Sequence, residues 1–243
     1  MDATETRREF KFVLKPGLEG DLRTEVEKHL AADSHANEGY PVISEYFDSA
    51  DRASYWQKQF GVPNRRRVRG RLYGRSDGSI PASAFIEIKH KLDGNTAKRR
   101  VCCDIKDLSI LSEGRIPDHI ETSNRIGQRI INELEYLIVK QGNRPVVQIR
   151  YHRYAYDSGP DSTIRITFDL ELHCRFLLKP LQADCTDFDL PLLEPGEAVM
   201  EVKTIGPVPH WFRMLVGQHN LVPCGFSKYA TALEKYEFNH QSP

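Results

Sequence analysis

Polar and apolar positions alternate with a period of two in eight stretches: residues 7–14, 42–48, 65–73, 84–91, 98–105, 145–156, 163–173 and 198–204. Successive side chains of a strand point to opposite faces, so each stretch predicts a β-strand with one apolar and one polar face. The sharpest case is NRRRVRGRLYG (64–74), where Arg65, Arg67, Arg69 and Arg71 share one face and Arg66, Val68, Gly70 and Leu72 the other. Helical periodicity appears at 18–31, 51–60 and 123–140, with shorter helices at 208–217 and 228–237. In 123–140, Ile126, Ile130, Leu134, Leu137 and Ile138 form one apolar stripe, and Gly142-Asn143 ends it. Residues 106–121 and 175–196 show no clear period. The second stretch mixes Pro180, Pro191 and Pro195 with Asp184, Asp187 and Asp189 and reads as an irregular acidic loop. Neither marks a boundary, so residues 1–243 are expected to form a single domain.

The polar faces are rich in charge. Arg7, Glu9 and Lys11 share a face in the first strand, and Glu87, Lys89 and Lys91 in the fourth. Lys98, Arg100 and Asp104 line the fifth, Arg165, Thr167, Asp169 and Glu171 the seventh, and Glu201 and Lys203 the eighth. Only 145–156 is ambiguous, because Gln148, Arg150 and His152 compete with Tyr151 and Arg153 for the polar side. Two unit charges about 4 Å apart repel by roughly 4 kcal/mol at an effective dielectric of about 20. A ladder of arginines therefore calls for anions beside it. Eight strands can close into a barrel that admits side chains or a small ligand, which would turn these faces into a cation-lined tunnel. An open antiparallel sheet with one wet face gives the same alternation. Periodicity alone leaves both standing.

Composition narrows the partners. Thirty-four basic and 34 acidic residues give zero net charge, which argues against a nucleic-acid binder coated in positive charge. There is no run of 18 apolar residues, and MDATETRREF lacks the apolar core of a signal peptide, so no direct membrane insertion is expected. Five cysteines without a CxxC pair fit free thiols in a reducing cytoplasm. The nine histidines show no ligand spacing, and Trp211, Phe212 and Leu215 read as packing residues.

Eight motifs in order, REFKF (8–12), YFDS (46–49), VRGRLYG (68–74), FIEIKHK (85–91), YHR (151–153), IRITFDLEL (164–172), VMEVK (199–203) and FSKY (226–229), resemble the VTC domain. This is the polyphosphate polymerase domain of the vacuolar transporter chaperone proteins and their bacterial relatives, within the triphosphate tunnel metalloenzymes. The resemblance runs from about residue 7 to 237. It implies a mainly β (α+β) fold, an eight-stranded antiparallel β-barrel tunnel with helices packed outside. The implied activity moves the terminal phosphoryl group of ATP to a growing polyphosphate chain, with Mn2+ or Mg2+ as cofactor. Phosphoryl transfer needs positioning and charge neutralisation more than covalent chemistry. By the same resemblance Lys11, Arg69, Arg71 and Lys89, with Glu201, form the catalytic set. Lys98, Arg100, Arg153, Arg165, Lys203, Ser227 and Lys228 grip phosphates. Glu201 matches the metal-binding glutamate, and Glu9, Glu87, Asp169 and Glu171 are candidates to assist it. Ser227 also suits an N-cap.

The chain departs from the family at Gly225, where polymerase members often carry lysine. It resembles a bacterial-type standalone member, without the SPX domain and membrane helices of the eukaryotic polymerase, so a membrane partner would be a separate protein. Two alternatives share the tunnel: an inorganic triphosphatase, and a non-catalytic sensor of polyphosphate or nucleotide.

Overall fold

The computed structural model describes residues 7–33, 38–75, 77–81, 83–92, 95–118, 120, 125–159, 163–176, 181 and 185–239, without the side chains of 7, 95, 96, 125 and 126. Pro180, Asp184, the start of the helix expected at 123–140 and the Ile126 side chain lie outside these residues. In chain order, β1 (Arg7–Leu14), α1 (Leu18–Glu27), the two-residue β2 (Ala31–Ala32) and β3 (Tyr40–Asp48) come first. α2 (Ala53–Gln59), β4 (Arg65–Tyr73), β5 (Ser83–Leu92) and β6 (Asn95–Asp104) follow. Next are α3 (Ile105–Ser112) and α4 (Arg125–Leu134), which continues as a wider π-helical segment, Glu135–Lys140. β7 (Arg144–Asp157), β8 (Ile164–Arg175), the short β9 (Leu190–Pro191) and β10 (Ala198–Ile205) complete the sheet. α5 (His210–Gln218) and α6 (Lys228–Ala232), with a π-helical extension Leu233–Phe238, close the fold.

All eight predicted strands are present. Each pairs antiparallel with its neighbours, in the order β1-β10-β8-β7-β3-β4-β5-β6. The ladder stops at β1 and β6, so the sheet curls into a tunnel without a continuous hydrogen-bonded seam. The curl is visible in the electrostatics: Lys89 on β5 lies in the field of Glu9, Lys11 and Glu201 on β1 and β10, at the other end of the strand order.

The outer, apolar faces build two cores. Under α1 and α5, Phe12, Leu14, Ile166, Phe168, Met200 and Val202 pack against Leu22, Val26, Phe212 and Leu215. Under α3 and α4, Ile43, Val68, Leu72, Ile86 and Ile88 meet Leu108, Leu111, Ile130 and Leu134. A third cluster lies on the inner face, where Val42, Ile149, Tyr151 and Val199 pack against Tyr229, Ala230 and Leu233. The last helix therefore covers the inner side, joined there by Tyr55 of α2, while α1, α3, α4 and α5 cover the outside. Asp48 clasps it there, accepting from the Tyr229 hydroxyl at 2.6 Å while also taking the backbone N–H of Ser54 at 2.8 Å at the start of α2.

Three local outcomes differ from periodicity. α3 escapes the reading because its apolar stripe is only two turns long, yet Asp104 and Asp107 form a reciprocal capping box that starts it. On β7, Tyr151 and Arg153 take the inner face, and Gln148 is buried on the outer one, donating to Glu45 at 2.6 Å and accepting from Arg175 at 2.6 Å. Of the polar outer residues that made this strand ambiguous, Gln148 thus belongs to a buried network, while Arg150 and His152 are half-exposed. On β8 the alternation breaks at Glu171, which has φ +52° and sits where the β7–β8 register slips. This is a bulge, and it re-aims every following side chain.

Gly70 lets α3 sit close against β4. A Cβ there would lie 2.9 Å from a buried Leu108 methyl. Gly70→Val should lower unfolding stability by about 1–3 kcal/mol through overpacking. Denaturant unfolding tests this, and an unchanged midpoint would mean that the α3 contact does not constrain the strand.

Candidate functional site: a cation-lined tunnel

Strand register places the charged side chains on one continuous surface. Lys11 pairs with Glu201, Glu201 with Thr167, and Arg153 with Asp169. Tyr46 pairs with Arg69, Arg69 with Glu87, and Glu87 with Arg100. Because positions alternate strictly along β1, β4, β5, β6 and β10, a single register fixes which side every cation takes.

On one wall Glu87 is the hub. Arg69 Nε donates to its Oε2 at 3.0 Å, Lys98 pairs with its other oxygen, and Arg71 Nη1 lies 3.9 Å away. Burial opposes the charge on Glu87, but Arg69, Arg71 and Lys98 overcome it and bring the carboxyl down to about 2. Arg71 is nearly inaccessible and also donates to Ser44 Oγ at 3.1 Å and Tyr73 Oη at 3.3 Å. On the facing wall Asp169 is fully buried. It takes both arms of Arg153 at 2.6 and 2.8 Å and the Lys228 ammonium at 2.5 Å. Those cations outweigh its burial and hold it at about 2. Between the walls, Lys11 lies 3.2 Å from Glu9 and 3.7 Å from Glu201, and Lys203 lies 2.5 Å from Glu201. Burial pushes Glu201 up, yet Lys203, Lys11 and Lys228 keep it well below the usual carboxylate range.

Not every lumen group is compensated. Among the described residues Lys89 has no ion-pair partner, and its pKa is lowered by enclosure and by Lys11 and Arg69, against the pull of Glu9 and Glu201. Arg67 gives one N–H to the Ser54 carbonyl at 3.0 Å, but its buried Nε has no partner. The Tyr151 hydroxyl and Thr167 Oγ1 are likewise buried and unpartnered. Buried polar atoms left unpaired are costly, and such groups commonly await water, an ion or a ligand.

Several expected residues occupy other settings. Arg165 is at the end of the tunnel face, tied to Asp33 at 2.8 Å and Asp157 at 3.2 Å. Arg100 lies over the Phe85 ring, 4.9 Å from its centre, with its side chain exposed. Ser227 caps α6, its hydroxyl accepting from the Ala230 N–H at 3.5 Å. Glu171 lines a cavity of about 150 Å³ with Arg150, His152 and His173, because the bulge turns it away from the strand's inner register.

Sequence reasoning passed over Ser44, Tyr46, Tyr73, Tyr151 and Thr167. Each sits on the same strand face as a charged neighbour, so face membership was the available signal. Tyr46 is the most affected of them. Burial would raise its pKa, but Arg69, Arg71 and Lys228 bring it down to about 8.

A hard divalent ion takes oxygen ligands, keeps several waters and needs only one or two carboxylates when phosphates complete its shell. Glu201, held ionised, with Glu9 nearby through Lys11 and the unpartnered Thr167 hydroxyl across the strand pair, fits that donor set. Among the described residues no three carboxylate, histidine or cysteine side chains converge, so no all-protein metal cage is present. No described helix is long and apolar enough to cross a membrane.

A curled antiparallel sheet with a cationic inner face and paired acids defines a tunnel-type protein. The VTC domain profile matches residues 6–236, and the chain belongs to that family. Two solved structures share the fold. A candidate adenylate cyclase from Bacillus halodurans aligns with a TM-score of 0.54 and 10% identity, covering 96% of this chain and 97% of that one. A candidate adenylyl cyclase from Hippeastrum, described as having a dominant triphosphatase activity, aligns with a TM-score of 0.54 and 13% identity, covering 95% and 96%.

The Tyr46 environment offers a direct readout of the tunnel. A bound polyanion would offset the arginine field that favours tyrosinate, so tripolyphosphate should shift the titration near pH 8 upward. Arg69→Ala should shift it upward without ligand, for the same reason. Ultraviolet tyrosinate titration, with Tyr46→Phe to assign the transition, checks both. A transition indifferent to tripolyphosphate would place the anion elsewhere.

Proposed function

We propose that this protein is a metal-dependent polyphosphate polymerase that transfers the terminal phosphoryl group of ATP to a polyphosphate chain held in the tunnel. The observation that carries the reading is the surplus of aligned cations on one enclosed face. Arg67, Arg69 and Arg71 stand on β4 and face Lys11, Lys89, Arg153 and Lys228, with too few carboxylates to neutralise them. A linear polyanion supplies what is missing. Membership of the VTC domain family and the shared tunnel fold support an enzyme acting on phosphates.

In this reading Arg69, Arg71 and Arg153 present forked guanidinium groups to successive phosphates, while Lys11, Lys89, Lys98 and Lys228 act as point charges. Lys203 beside Glu201, and Arg100 and Arg165 at the margins, add to the local field. Ser227 contributes chiefly by starting α6 and so fixing Lys228. Glu201, assisted by Glu9 and Thr167, would hold Mn2+ or Mg2+, which would supply positive charge to offset the charge developing on the transferred phosphoryl group. Glu87 and Asp169 orient the cations around them, and Glu171 is not assigned a ligand role.

An inorganic triphosphatase would use the same cations with water as acceptor. Gly225 favours this second reading, since nothing lies within 4 Å of where a side chain would begin and polymerase relatives often carry lysine there. Incubation with ATP and Mn2+ distinguishes the two: lengthening chains support the polymerase, and orthophosphate released from tripolyphosphate supports the hydrolase. Binding without turnover under either metal would leave a sensor.

Glu201→Gln keeps the shape and removes the charge, so metal-dependent turnover should collapse while tripolyphosphate binding survives. Near wild-type activity would remove Glu201 from the metal site. Arg69→Ala or Arg71→Ala should lower tripolyphosphate affinity about ten- to a hundredfold, the scale of a charge-assisted contact. Arg66→Ala, on the opposite face of β4, should leave it within about twofold. Equal losses at all three positions in a calorimetric titration would indicate general attraction without a defined facing.

A further inference from the structure

We propose that a second polyanion subsite continues the tunnel's ladder beyond the lumen, on the outer side of the sheet where β4 begins, and that it engages polyphosphate chains longer than a triphosphate. This rests on the phosphate-chain reading of the tunnel. A cavity of about 570 Å³ lies there, walled by Arg65, Arg66, His90, Gln57, Asn64 and Gln141 among others. Its size is that of a small-molecule site, and its walls are rich in hydrogen-bond donors.

Arg65 is the link. It shares the inner face of β4 with Arg67, Arg69 and Arg71, and it also lines this cavity. From Arg71 to Arg65 the ladder spans about 20 Å, at roughly 3.3 Å per residue. Arg67 donates to the backbone carbonyl of Ser54 at 3.0 Å, and Ser54 is itself part of the cavity wall. The buried, unpartnered Nε of Arg67 belongs to the same guanidinium that reaches this wall residue.

From the outer face of the sheet, Arg66 and His90 stand opposite each other on β4 and β5 and both reach the same cavity. Among the described residues neither has an ion-pair partner. The carboxylate in the wall, Asp51, accepts from Ser49 Oγ at 2.5 Å. Three basic side chains and several amide donors against one engaged carboxylate suit a run of phosphates. A forked guanidinium from each face of β4 would hold consecutive phosphate groups as the chain rounds the strand's start.

The test compares tripolyphosphate with long-chain polyphosphate in calorimetric titrations at fixed ionic strength. The proteins are wild type, Arg66→Ala, His90→Ala and a control, Arg129→Ala, whose side chain is exposed on α4. Arg66→Ala and His90→Ala should each weaken long-chain binding roughly three- to tenfold and leave tripolyphosphate binding unchanged. Arg129→Ala should alter neither. Thermal melts verify that the variants fold, and two independent positions guard against one that does not. Unchanged long-chain affinity in both variants overturns the subsite. So does an equal loss with both probes, which would indicate general electrostatics. In parallel titrations with ATP, a loss with ATP but not with long chains would assign the cavity to a nucleoside and overturn the proposal too. Failure of wild type to bind tripolyphosphate defeats the tunnel reading itself, which separates that failure from this one.

Discussion

Arg67, Arg69 and Arg71 stand two residues apart on β4, with Lys89 and Lys98 facing them from the neighbouring strands. Left alone, such crowding would push the strands apart, and burial adds a desolvation cost to each charge. The structure answers with a few deeply placed carboxylates, each serving several cations. Glu87 is shared by Arg69, Arg71 and Lys98, and Asp169 by Arg153 and Lys228. This sharing holds the side chains in position but leaves the surface short of negative charge. That deficit is the basis for the proposal that the tunnel holds a polyanion.

A face of this kind contributes little apolar burial, so folding energy must come from elsewhere. The two outer cores supply it, since the apolar side of nearly every strand is covered by helix. The inner side is stabilised separately where α6 packs on Val42, Ile149, Tyr151 and Val199. Asp48 ties that helix to β3 and to the start of α2 through one buried carboxylate. Two residues of the family motifs, Asp48 and Tyr229, thus have a structural task, and Lys228 between Ser227 and Tyr229 is delivered to Asp169 by the same helix.

The acids divide by what already surrounds them. Glu87 and Asp169 are saturated by cations, and a metal would have to displace those contacts. Glu201 is held by lysines, whose single flexible ammonium groups move more readily than forked arginines. Thr167 across from it keeps an unpartnered hydroxyl. This difference, more than carboxylate identity, supports the proposed role of Glu201 toward a metal.

The eight strands and the charged face of most of them were legible in the sequence, because a period-two pattern with one apolar face states both the strand and its sidedness. The arginine ladder at 65–71 is the clearest instance, and β1, β5, β6 and β10 follow it. Other features depend on contacts far apart in the chain. Gln148 is inward or outward only according to whether Glu45 and Arg175 are there to meet it. Glu171 leaves the face of Arg165 and Asp169 because an extra residue on β8 must be absorbed opposite β7, and nothing in IRITFDLEL announces that slip. The short helix Ile105–Ser112 needed its capping box more than its apolar stripe. Alternation could not choose between an open wet sheet and a tunnel, since both give identical patterns. Only the curl that brings Lys89 into the field of Glu9, Lys11 and Glu201 decided it, because enclosure depends on how strands distant in order approach one another through space.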